Sequence, residues 1–132
     1  MIYSLRCEVY SVVFKLKELG FPQQNLYSSG AYMDEQGFIF FGDEYMENEK
    51  LSYVPIYSEI LDWLLEENLL NLCIFRKETG WWFYVQSSLD GELLRAGKFE
   101  DEIEAFKSGI DAALELIEQK KNGATKLEDV NP

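Results

Sequence analysis

Apolar positions along the 132-residue chain fall into two rhythms. Val9, Val12, Val13, Leu16 and Leu19 recur at helical spacing, which predicts a helix over residues 5–19. Gly20-Phe21-Pro22 then supplies a stop: glycine takes a left-handed turn, phenylalanine folds back, and proline cannot continue. A second stripe, Ile56, Ile60, Leu61, Leu64 and Leu65, predicts a helix from Pro55 to about Asn68 with Trp63 on its flank. A third, Ile103, Phe106, Ile110, Ala113, Leu114 and Ile117, predicts a helix over about 100–120 that stops at Asn122-Gly123. The remaining apolar stretches are short and rich in aromatic and β-branched residues. Tyr32-Met33, Asp34 to Gly37, and Phe38 to Phe41 read as strand, turn, strand, and Leu51 to Val54 as a short extended piece. Asn71 to Lys77 and Trp81 to Gln86 read as a hairpin, with a third strand near Leu93 to Gly97.

The predicted fold is α+β: a small antiparallel sheet with about three helices packed largely on one face, in the approximate order α-β-β-α-β-β-β-α. Its domain occupies residues 1–123, followed by a flexible tail over 124–132. Hydrophobic residues make up 47% of the chain, enough to bury a core. No apolar run reaches the length of a bilayer span, and no charged-then-apolar leader opens the chain, which predicts a cytoplasmic protein.

Charge narrows the function classes. Twenty-four acids stand against 12 bases, for a net charge of −12. That balance disfavours direct nucleic-acid binding, which needs cations to displace phosphate counterions, and docking on an anionic membrane. The charge is also uneven: residues 30–70 hold ten acids and the single base Lys50. The acids at the start of the third helix, Glu100 to Glu104, have a structural role opposite the positive end of the helix dipole. Those around residues 34–49 have none, and they are interleaved with aromatic residues.

Chemistry is limited by what the chain lacks. Without histidine there is no imidazole base to activate a serine or cysteine, and no histidine metal ligand. Cys7 and Cys73 are too far apart in sequence for a redox or zinc pair and read as free buried thiols. The acidic run at 43–49 lacks the glycine and spacing of a calcium loop. No glycine-rich phosphate loop is present. No catalytic residue, cofactor or metal is therefore predicted. The pair Trp82 and Tyr84 shares one face of its strand, and Trp81 and Phe83 the other.

The stretches LKELGFPQQ (16–24), PIYSEILDWLLEE (55–67), WWFYVQ (81–86) and FEDEIEAFKSGIDAALELIEQ (99–119) together resemble a diffuse group of short acidic hypothetical proteins of Bacteroidota and their phages. The shared motifs are core stripes and helix ends, so no catalytic motif carries over. The resemblance implies a phage or prophage accessory origin and a bias toward small partner-binding proteins.

These readings converge on a non-enzymatic acidic module that binds another protein. Its partner would be a basic host protein, such as a defence nuclease whose nucleic-acid site the carboxylates occupy. The predicted contact residues are Asp34, Glu35, Asp43, Glu44, Glu47 and Glu49, with Tyr45 and Tyr32 as aromatic anchors. Two alternatives stand beside this. One is a plain accessory domain, acidic for solubility and paired with itself as a homodimer. The other is a small-molecule or peptide binder.

Overall fold

Helix α1 (Tyr10–Glu18) starts without a side-chain cap, at Val9, so burial of Val12, Val13 and Leu16 must hold it. Its end is a Schellman turn. Gly20 takes a φ of 96°, its N–H donates to the carbonyl of Lys17, and the N–H of Phe21 donates to that of Leu16. The computed structural model describes residues 5–23, 30–42 and 51–130, of which 42 and 123–130 are described by backbone alone.

The chain divides into two compact units, Met1–Ile60 and Leu61–Pro132. The first contains α1, β1 (Gly30–Met33), β2 (Ile39–Gly42) and β3 (Ser52–Tyr53). Its antiparallel sheet has the order β2-β1-β3, with Tyr32 opposite both Phe40 and Tyr53. Side chains directly opposite share a face. Ala31 and Met33 therefore share theirs with Ile39, and pack with Val13 and Val54 as the core of this unit. Residues 5–7 are extended rather than helical. Arg6 bridges Ile56, the Cys7 N–H donates to the Pro55 carbonyl, and the Tyr57 N–H donates to the Leu5 carbonyl.

Helix α2 (Tyr57–Asn68) begins in the first unit and ends in the second. Its buried residues are Tyr57, Ile60, Trp63 and Leu64, whereas Leu65 is exposed. The stripe is thus rotated from the predicted one toward Trp63, because the large indole takes the buried flank.

The second unit holds β4 (Leu70–Lys77), β5 (Gly80–Ser87), β6 (Leu93–Phe99) and α3 (Glu102–Val130). The sheet runs β4-β5-β6, antiparallel throughout, with a register shift at Val85/Gln86. The β4–β5 hairpin turns on Glu78 and Thr79, and Glu78 itself takes the left-handed φ of 59°. Leu72, Phe83 and Val85 are buried on the face that α3 covers through Phe106, Ile110, Ala113, Leu114 and Ile117. Gly109 lets the helix lie this close: a Cβ there would come within 2.7 Å of Leu72 Cδ1 and 3.1 Å of Phe83 Cβ. Phe75, Trp82 and Tyr84 occupy the opposite face, with Phe75 and Tyr84 edge to face at 4.8 Å and Lys98 Nζ 5.9 Å from the Trp82 ring.

The architecture is α+β with three helices, as predicted, but the strands form two three-stranded sheets rather than one, and β3 adds a strand to the order. The predicted tail over 124–132 is largely helical: α3 runs through Asn122-Gly123 to Val130, so Lys120 and Lys121 lie inside the helix and not at its end. Asp101 begins that helix, accepting the Ile103 N–H at 3.1 Å. Ile103, predicted to be buried, is 40% exposed, because it lies in the first turn and the buried stripe begins at Ala105 and Phe106. Among the described residues, no helix is long and apolar enough to cross a membrane. Neither cysteine is in a disulfide; Cys7 is buried and Cys73 half-buried.

Candidate interaction surface

The β1–β2 turn is built by Asp34. Its Oδ1 accepts the N–H groups of Gln36 and Phe38, each at 2.9 Å, while its backbone N–H donates to the Phe38 carbonyl at 3.0 Å. Gly37 closes the turn at a φ of 89°, a conformation that side chains disfavour. Asp34 is therefore largely committed to holding the turn, and Glu35 is left exposed at its tip. This is why the sequence Asp-Glu-Gln-Gly folds as it does here.

A groove of about 320 Å³ lies beside the turn. Tyr10, Phe14 and Glu18 of α1 line one side, and Asp34, Glu35 and Ser52 line the other. Tyr10 and Phe14 are one turn apart on the helix, so their rings stack with centroids 6.0 Å apart, outside the buried stripe. Lys17 also lines the groove, and its Nζ donates to the Leu51 carbonyl at 2.6 Å. Further aromatic surface comes from Phe38, just before β2 and 67% exposed, and from Phe40 and Phe41 on β2, an outer strand of its sheet, which are 47% and 74% exposed. Five of the exposed large apolar side chains of this unit are thus aromatic, and three carboxylates stand among them.

A hydrogen-bonded network fixes the chain behind this surface. The Tyr53 O–H donates to the Glu59 carboxylate, 3.0 and 3.1 Å from its two oxygens, and Glu59 also accepts the Ile56 N–H at 3.0 Å. Gln23 Oε1 accepts the Tyr53 N–H at 2.8 Å, and the Arg6 guanidinium donates to the Val54 carbonyl at 2.9 Å. Burial, reinforced by the Glu59 charge, pushes the Tyr53 phenol up to about 12. Burial beside Cys7 pushes the Tyr57 phenol up as well. Both phenols stay protonated at neutral pH and serve as donors and packing groups, not as proton acceptors. No group of three or more metal-ligating side chains occurs among the described residues.

The predicted contact residues meet different fates. Asp34 and Glu35 lie together at the groove. Tyr32 is only 2% exposed and stands edge-on to Tyr53, so its ring belongs to the interior and offers no anchor on the surface. Asp43, Glu44, Tyr45, Glu47 and Glu49 lie outside the described residues. Tyr10, Phe14 and Glu18 were not anticipated. Their signal is an aromatic pair at i, i+4 that falls off the Val12–Val13–Leu16 stripe. No protein-family model, curated protein or solved structure matches the chain.

Proposed function

We propose that the chain is a non-enzymatic binding module whose first unit docks a basic partner protein through this acidic, aromatic groove. The observation that carries the reading is the convergence of Tyr10, Phe14, Glu18, Asp34 and Glu35 on one surface. Exposed aromatic rings supply apolar contact at small entropic cost, and flanking carboxylates steer a cationic partner toward them. The net charge of −12 extends that field beyond the groove. Carboxylates on the hairpin turn would compete for a groove made for phosphates. The favoured partner is accordingly a nucleic-acid-handling host protein such as a defence nuclease, in keeping with the resemblance to phage accessory proteins.

The test is capture of host protein on the immobilised chain, followed by elution with a short DNA duplex. The reading expects one basic protein, released by the duplex and by moderate salt, and no longer captured by the Glu18→Lys, Glu35→Lys variant. Capture that survives both the duplex and the double reversal would refute it.

A second reading rests on a separate observation. Strand β2 is an outer strand bearing exposed Phe40 and Phe41, the kind of edge that pairs with another copy. A homodimer joined there would make the chain an accessory domain. Sedimentation equilibrium of Phe41→Lys against the unaltered chain distinguishes it: dimer lost on substitution supports self-pairing, and a monomer in both removes it.

A further inference from the structure

The second unit has a cavity of about 570 Å³, within the roughly 300–1,000 Å³ usual for small-ligand sites. Leu69, Leu70, Leu94, Leu116 and Ile117 make it apolar, and Leu89, 77% exposed, stands at its mouth. Leu69 directly follows α2 and takes a φ of 56°, the left-handed conformation common where helices end. Lys120 and Lys121 line the same cavity. Each follows an apolar wall residue by one helical turn, Leu116 and Ile117 respectively, which sets the lysine stems beside the apolar wall.

Several polar groups around the cavity bond within the chain. Asn68 Nδ2 donates to the Trp63 carbonyl at 3.4 Å, and Ser87 Oγ accepts the Leu89 N–H at 3.3 Å. The Leu69 carbonyl accepts the Ser88 N–H, and the Ser87 N–H donates to the Glu92 carbonyl. A peptide would bury backbone groups here with few partners. A hydrocarbon body with one anionic end meets the site on its own terms. Glu67 is the one carboxylate on the lining.

We infer that this cavity binds an amphipathic carboxylate, an unbranched apolar chain lying on the leucines with its head group at Lys120 and Lys121. The inference is independent of the groove in the first unit.

The test is titration of the full chain with dodecanoate, dodecanol and dodecylamine, each below its micellar concentration, followed by backbone amide shifts. Dodecanoate is expected to saturate one site, moving the amides of residues 69–70 and 116–121. It should bind at least about tenfold more tightly than dodecylamine, the factor for one ion pair made and one repulsion avoided. Lys120→Glu with Lys121→Glu should reverse that preference; both positions are exposed, so the fold should persist. Leu94→Trp should intrude on the cavity and weaken dodecanoate binding. Equal binding of the three amphiphiles, or no saturable shift, would overturn the inference. So would shifts of the same amides on raising protein concentration alone, since the occupant would then be a second copy.

Discussion

The two units solve the same problem, surplus apolar surface, in opposite ways. In the first unit the exposed apolar side chains are mainly aromatic, Tyr10, Phe14, Phe38, Phe40 and Phe41, and carboxylates stand among them. In the second they are aliphatic, Leu65, Leu69, Leu89 and Leu93 with Ile103, and a cavity with two lysines opens beside two of them. Rings beside the groove between helix and hairpin offer flat contact area to a macromolecule. Leucines around a concavity offer a liner for a flexible chain. Exposure alone thus says little; the kind of apolar side chain and the sign of the neighbouring charge decide what each surface can hold.

Substitutions in the cores and at the turn can break this contrast. The largest effect belongs to Phe106, fully buried under the second sheet. Phe106→Ala should cost about 3–5 kcal/mol in urea melts, as large-to-small core changes do. A loss below about 1 kcal/mol would mean the α3 face is misplaced.

The first unit responds instead to alkali. Tyr53 and Tyr57 bind their protons more tightly in the folded chain than in the unfolded one. Their contribution is complete below the ordinary phenol value of 10.0; that of Tyr53 is lost as the pH rises through about 12, and that of Tyr57 at higher pH still. Melting temperature should therefore hold up to that ordinary value and fall above it, and Glu59→Gln, which removes the charge beside Tyr53, should lessen its share of the fall. A melting temperature that rises over the same interval would contradict the assigned network.

Gly109→Ala is a smaller test of the second unit. Alanine favours the helix by about 1 kcal/mol, but its methyl meets Leu72 Cδ1 at 2.7 Å and the Phe83 stem at 3.1 Å. Overpacking costs of about 1–3 kcal/mol should win, leaving a net loss of about 1 kcal/mol in the same melts. Stabilisation would show that α3 can lift from the sheet without cost.

At the hairpin the neighbouring acids should separate cleanly. Asp34→Ala removes the acceptor for two backbone N–H groups and should cost about 1 kcal/mol, whereas Glu35→Ala should lie within about 0.5 kcal/mol of zero. Equal losses would mean that Asp34 does not build the turn.

Much of this architecture was legible in the residues. The Gly20-Phe21-Pro22 stop, the β4–β5 hairpin and the Phe106 to Ile117 stripe are local patterns, and local geometry realises them. What escaped depended on distant partners. Residues 5–7 read as helix because Val9 to Leu19 do, yet Cys7 is pulled into an extended bridge by Pro55. The split into two sheets and the burial of Tyr32 follow from tertiary pairing that no window of sequence contains. At the candidate site, charge density pointed to Asp34 and Glu35. The α1 side of the groove was missed because Tyr10, Phe14 and Glu18 acquire meaning only when the turn is folded beside them.

The most direct test of the acidic groove is the association rate of the captured partner, measured across a salt series for the unaltered chain and for Glu18→Lys, Glu35→Lys. Steering acts on encounter, so the double reversal should slow association at low salt by at least about tenfold, flatten its salt dependence and leave dissociation nearly unchanged. An association rate and salt slope identical in the two proteins would contradict the claim that this surface receives the partner.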